Sequence, residues 1–470
     1  MDKPIWQLSA TQTAAAIREG RLTSVEATEA HLARMDAVNP ALNAVVLDMR
    51  DNALDTARAA DAALKSGDIH GPLHGVPITV KQNVDVEGTP NINGVPANTG
   101  LIAPDDAPVT RNLRNAGAVI LGQTNTPEFS MRAFTDNPVH GLTLNPWDDA
   151  ITCGGSSGGA ASAVAAGIGT LAHGNDIGGS LRWPAYCCGV ATIRPTQGRI
   201  PAFNPSLAGE RPFVAQLFST QGPICRDVAD TVLGLSVMAA RDARDPLHVP
   251  MPMTGAPQPK RVAMGKVYDD MHADTGILDI YAQAADHLRA AGYEVDEVDL
   301  PDVKGCWQAW TDLLFAEMCT LSEDAMRAAG SEDFNRVMDA YKAFSNPLDL
   351  KSYMLAQAQR LTHLRQWLSV LEDYPVILTP LMVQRTPGPR GDLDDADAVR
   401  RLMQDGARYL GIMNYLGLPS ALVPVDTLDG HPVGVQLTAT RFREDTALAA
   451  AQAIEDRAGT LLGRLWAKMD

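Results

Sequence analysis

An α/β fold is predicted from three features of the 470-residue chain. Short β-rich runs alternate with helical patterns from residue 71 onward, the alternation recurs beyond residue 260, and apolar strand-like runs return near the C-terminus. Strands interleaved with amphipathic helices favour a sheet flanked by helices, because each layer buries its apolar face against the other.

Residues 1–70 read as a helical segment. Thr23-Ser24-Val25-Glu26 has the capping-box pattern, in which the first side chain and the glutamate three residues on satisfy each other's backbone amides. "RDNALDTARAADAALKSG" then carries Leu and Ala at helical spacing and stops at Gly67. Over 71–250, "GVPITVKQNV" and "AVILGQTN" read as buried strands with "APVTRNLRNAG" a helix between them. "GAASAVAAGIGTLAH" reads as a buried helix of small residues followed by a strand. The proline-rich "PMPMTGAPQPK" is a connector into a third stretch, 251–372, where "RVAMGKV", "ILDIYAQAADHLRAAG" and "YEVDEVDL" repeat the strand–helix–strand theme. Residues 306–372 are mainly helical with a break near "SNPLDL". The last stretch, 373–470, offers "VILTP", "SALVPV" and "GVQLTAT" as strands and "DTALAAAQAIEDRAG" as a closing helix. The acidic "GDLDDADAVRR" reads as a solvated loop leading into a helix.

Composition narrows the function classes. With 39 basic against 56 acidic side chains the net charge is −17, which disfavours nucleic acid and anionic membranes as partners. No run approaches the roughly 18 apolar residues of a membrane span, and the N-terminus lacks a signal-peptide pattern, so a cytoplasmic protein is expected. Six cysteines are scattered without C-x-x-C or zinc spacing, so they read as reduced structural thiols, with no metal or cofactor expected.

The chemistry concentrates in "CGGSSGGAAS", residues 153–162. A phosphate loop would need a lysine after the glycines, and a dinucleotide site the G-x-G-x-x-G spacing; neither is present. A flexible linker would not run into an apolar helix. A turn presenting a nucleophilic serine remains, with Ser156 or Ser157 central in two registers of G-x-S-x-G. An α/β-hydrolase would add an acid and a histidine, but no histidine has telling surroundings, and His431 reads as a turn residue. Lys81 ends an apolar strand, where burial would lower its pKa and free it to act as a base. A second glycine-rich turn, "DIGGSLRWPA", ends on Ser180.

Taken together, "GGSSGG", "DIGGSLRWPA" and "GVPITVKQN" closely resemble the amidase signature family of serine hydrolases. "ILGQTNTPEFS", "NPWD", "RPTQGRIP" and "LGLPSALVP" through "GHPVGVQL" follow in the family's order, and the separations of 75 and 24 residues match as well. The resemblance implies one large catalytic domain with a central mixed, twisted sheet covered by helices on both faces. It implies a Ser–cisSer–Lys triad, with Ser156 as nucleophile, Ser180 as the bridging serine after a cis bond, and Lys81 as base. It further implies an oxyanion hole from the amides of Ile177, Gly178, Gly179 and Ser180, braced by Asp176 and Arg182, with Thr152 and Ser157 supporting the first turn. Cys153 and Asn175 depart from the family pattern and are expected to lie clear of the triad.

The implied reaction is C–N hydrolysis of a small-molecule amide or carbamate, and plausibly an ester, through an acyl-enzyme. A glutamine amidohydrolase subunit, an α/β-hydrolase esterase and a non-catalytic scaffold are the alternatives; a homodimer is a family-level expectation. Met131, Trp307, Trp310 and Leu314 are candidate pocket residues, although the two tryptophans and Leu314 recur at a spacing that a core face explains equally well. If they line the pocket, an aromatic amide or aryl carbamate suits it.

Overall fold

The computed structural model describes residues 3–395 and 397–469. Eleven strands form one sheet: β1 (Val45–Asp48), β2 (Pro77–Lys81), β3 (Val119–Thr124), β4 (Leu171–Asp176), β5 (Ala191–Arg194), β6 (Thr220–Cys225), β7 (Arg261–Gly265), β8 (Glu294–Val298), β9 (Val376–Pro380), β10 (Ser420–Leu428) and β11 (His431–Ala439). Their order is β1-β3-β2-β4-β6-β5-β10-β11-β9-β7-β8. Strand β2 runs parallel to β3 and β4, and β7 parallel to β8 and β9, while the remaining pairs are antiparallel. The sheet is therefore mixed, as expected, and helices flank it.

Local sequence explains most of these elements. Thr23 and Glu26 form the predicted capping box at the start of the helix Ser24–Leu42. The helix Arg50–Lys65 buries Ala53, Ala57 and Ala60, spaced to lie along one face. Strand β1 was not expected within residues 1–70. It is only four residues long and takes its place by pairing antiparallel with β3, so tertiary pairing overrides its helical surroundings. Strands β5 and β6 were likewise not anticipated, being short and rich in polar or turn-forming residues. The break near 343–349 separates the helices Glu332–Lys342 and Leu350–Asp373. Of the acidic stretch 391–401, Ala396 lies outside the described residues; a short helix follows at Ala398–Arg400.

What positions the site is the middle of the sheet. Strand β2 is buried at every residue between β3 and β4, consistent with its nearly continuous apolar run. The small-residue helix Gly158–Ala166, also buried throughout, packs against β2, β4 and β6. Lys81 at the end of β2 thus faces the turns that precede this helix and follow β4. Among the described residues no helix is long and apolar enough to cross a membrane, and no group of metal-ligating side chains gathers.

Candidate active site

Lys81 is completely buried, and burial pushes its ammonium well below the ordinary lysine range; the carboxylate of Asp176 partly opposes the shift. Its Nζ lies 2.7 Å from Ser156 Oγ, 3.1 Å from Ser157 Oγ and 2.8 Å from Asn175 Oδ1. A neutral amine held this way can take a proton from a hydroxyl and still donate to an amide oxygen.

The first serine turn is held from below. Thr152 Oγ1 accepts the Gly154 amide at 3.0 Å, while Thr135 donates to the Gly154 carbonyl and accepts the Gly158 amide. Ser157 accepts from Lys81 and donates to the Asn175 carbonyl at 3.4 Å.

The second turn is organised by a buried ion pair. Asp176 accepts from Arg182 Nε at 3.0 Å and Nη2 at 3.1 Å, from the Gly179 and Leu181 amides, and from Asn414. Although desolvation works against it, Arg182 and the surrounding donors hold the Asp176 carboxyl down to about 2. Arg182 also reaches Gln436 and Asn414, anchoring the turn to the C-terminal strands. Gly179 has φ of +112°, and an added Cβ would fall 2.2 Å from Leu410. At Gly178 it would meet the Trp310 ring at 2.5 Å. Neither position has room for a larger residue.

Two cavities meet at Ser180. One is apolar and aromatic, with Met131, Trp183, Trp310, Leu314, Phe315 and Tyr341 among its walls. The other is larger and more polar, and Ser156 and Asn175 open onto it. Ser180 and Met131 line both. Among the described residues the Ser180 hydroxyl is bonded to no protein group, and no histidine contacts either serine.

Several sequence expectations need correction. The cis peptide bond joins Gly155 to Ser156, and does not precede Ser180. The expected order Lys81–Ser180–Ser156 is also not observed: Ser156, only 1% exposed, sits on the lysine, whereas partly exposed Ser180 faces both cavities. Asn175 does not lie clear of the triad but contacts Lys81 directly, and its amide pairs with that of Asn83. The Gly179 amide is spent on Asp176 at 2.7 Å, which leaves Ile177, Gly178 and Ser180 as amides without a protein acceptor among the described residues. Trp307 lines neither cavity; it is buried one helical turn away against Phe344, in an aromatic layer behind the pocket. Trp310 and Leu314 do line the apolar cavity, and Trp310 Nε1 donates to the Ile177 carbonyl at 3.1 Å.

Cys153 is buried, with its thiol pushed up to about 12 by desolvation, and donates to the Thr143 carbonyl. It is a packed side chain with no nucleophilic character. Residues missed by sequence reasoning include Asn83 and Ser130, which extend the hydrogen-bond chain from Asn175. Phe129 and Ser130 adopt left-handed backbone angles of 54° and 57° in the wall between the cavities. No periodic signal announces a loop of this kind.

Comparisons with known proteins agree with this geometry. The amidase family model matches residues 26–448. An indoleacetamide hydrolase of Bradyrhizobium diazoefficiens is 58% identical, over 99% of this chain and 90% of that protein. An acylamidase of Rhodococcus erythropolis is 33% identical, over 95% of each. Among solved structures, a bacterial aryl acylamidase of the amidase signature family aligns with a TM-score of 0.81 at 25% identity, covering 99% of both chains. With a family match across most of its length and full-length relatives that cleave amides, the chain belongs to the amidase signature family and is an amide C–N hydrolase.

Proposed function

We propose that the preferred substrates are primary amides of aryl-substituted acetic acids, of the indole-3-acetamide class, and that Ser180 is the nucleophile. The single observation that carries this reading is the position of Ser180. Its unbonded hydroxyl stands where an aromatic cavity meets the polar cavity onto which Ser156 opens. An aromatic acyl group is suited to the first cavity by contact with Trp183, Trp310 and Phe315. The 58% identity to an indoleacetamide hydrolase supports the same acyl class.

In this mechanism Ser180 Oγ attacks the carbonyl carbon. Its proton passes to Ser156 Oγ as the Ser156 proton passes to Lys81 Nζ. The developing oxyanion is met by the amides of Ile177, Gly178 and Ser180, each donor of this kind contributing about 3 kcal/mol. When the C–N bond breaks, a proton returns from Lys81 through Ser156 to the nitrogen, and ammonia leaves. Water then attacks the Ser180 ester, delivering a proton along the same path, and the aryl acetic acid departs. Aryl esters and carbamates whose acyl side fits the cavity follow the same steps. Free glutamine is disfavoured, because its charged α-groups would be desolvated among aromatic walls.

A fluorophosphonate probe followed by peptide mapping tests the assignment. The adduct is expected on Ser180, with Ser180→Ala unlabelled and inactive towards indole-3-acetamide. An adduct on Ser156, or unchanged turnover by Ser180→Ala, overturns it.

A further inference from the structure

The polar cavity raises the question of what the amine side of a substrate can be. Ser156, which returns the proton to the leaving nitrogen in the proposed mechanism, opens onto this cavity and not onto the aromatic one. The amine side therefore projects into the polar cavity, which is far larger than ammonia requires. Within it stands Arg211, whose Nη1 donates to Ser219 Oγ at 2.6 Å. Ser219, which precedes the β6 residue Thr220 that pairs with Asp176, lines the same cavity as Ser180. Arg211 is thereby held in the cavity onto which Ser180 opens.

This guanidinium has no carboxylate within ion-pair distance among the described residues. The other charged groups of the cavity are otherwise engaged or exposed. Arg244 is held by Asp242 and Asp105, Asp245 accepts the Ala202 and Leu247 amides, and Glu210 is exposed. Burial holds Arg211 below its ordinary pKa, with Asp245 and Glu210 only partly opposing the shift. A desolvated guanidinium without an ion-pair partner, in a cavity that reaches the reaction centre, is a carboxylate-binding group in want of its partner.

The geometry points to a second substrate class: N-(arylacetyl) amino acids, with the aryl group in the aromatic cavity and the amino-acid carboxylate on Arg211. The inference rests on the reading of the site given above. Ser180 Oγ bonds to the acyl carbon as the C–N bond breaks, and the nitrogen takes its proton through Ser156. A free amino acid leaves, and water then releases the aryl acetic acid.

Kinetics of the whole enzyme on three compounds test it: indole-3-acetamide, indole-3-acetylglycine and indole-3-acetylglycinamide, the last having the same bulk without the charge. The glycine conjugate is expected to be hydrolysed, or at least to inhibit indole-3-acetamide turnover competitively, with at least tenfold tighter KM or Ki than the glycinamide. Arg211→Met should shrink that ratio to about one, and Arg211→Lys should restore part of it. Equal behaviour of the two conjugates, or an unchanged ratio in Arg211→Met, overturns the carboxylate site while indole-3-acetamide turnover leaves the primary reading intact. No turnover of indole-3-acetamide by wild type removes the primary reading, and this inference with it.

Discussion

Among the described residues Lys81 has no charged partner within bonding distance, and its nearest polar neighbours are two hydroxyls and an amide oxygen. Asn175 is neutral and so leaves the lysine pKa low; a carboxylate there would favour the ammonium. Asn175→Asp should therefore raise the Lys81 pKa and move the acidic limb of kcat/KM towards higher pH by one unit or more. At pH 7 the rate should fall about tenfold or more, with recovery as the pH rises, and a pH–rate profile on indole-3-acetamide measures this. A limb that does not move would mean that Lys81 is not the group titrating. Lys81 was legible only in combination: a lone lysine closing an apolar strand reads first as a snorkelling edge residue, and the two glycine-rich serine turns gave it a role as base. The Asp176–Arg182 brace was legible through the family resemblance, and the two side chains do pair across one short turn. The Asn175 contact was not, since it depends on β2 and β4 lying side by side, with 94 residues between the partners. Nor can a run of residues say which of two serine hydroxyls turns towards a cavity.

At the scale of elements, the helix Val303–Leu321 shows how far periodicity reaches. Trp307, Trp310 and Leu314 share an apolar stripe, but only the last two touch the cavity. Both tryptophan-to-alanine changes should lower stability, by roughly 3–5 kcal/mol for a buried Trp. Only Trp310→Ala should also lower kcat/KM on indole-3-acetamide, by an expected tenfold or more, because it loses the bond to Ile177 and the wall over Gly178. Thermal melts beside kinetics on the two variants separate the effects. The helix Val228–Met238 offers a second test. Asp227 caps it, and Glu455 accepts the Val228 amide with both oxygens, so two carboxylates share a largely desolvated site. Burial, with the neighbouring charge of Asp230 acting on Asp227 and that of Asp227 acting on Glu455, raises them to about 6 and about 7. A folded-state pKa above the unfolded value means that folding favours the protonated form. The site is therefore least costly below about pH 4.5 and most costly above about pH 7. Glu455→Gln keeps an acceptor for Val228 without the charge. It should raise Tm by roughly 2 °C at pH 8 and change little at pH 4.

Across the whole molecule, one sheet carries strands from both ends of the chain; the strand–helix rhythm pointed to a sheet flanked by helices, and the family resemblance to one mixed central sheet. Strand β9 and the buried apolar faces of the helices Glu332–Lys342 and Leu350–Asp373 tie residues 323–400 to the core, but the polar pairs that join this region to the pocket loop were not readable, because they link residues far apart in sequence. Glu128 accepts the Ser331 amide and hydroxyl at the start of the helix Glu332–Lys342. Arg132, beside the pocket loop, forms two parallel bonds to Asp392 at 2.8 and 2.9 Å, both side chains being 1% exposed. A buried pair of this geometry adds little net stability, yet removing one partner strands the other charge at a cost of about 3–5 kcal/mol. Arg132→Met and Asp392→Leu should thus each lower Tm clearly, whereas the double variant should recover much of the loss. Because Arg132 also lines the aromatic cavity, both single variants should raise KM for indole-3-acetamide, and the double variant should lie closer to wild type. A double-mutant cycle in Tm and KM provides the measurement. Strictly additive losses would show that the ion pair does not couple this region to the pocket, and that apolar packing alone positions it.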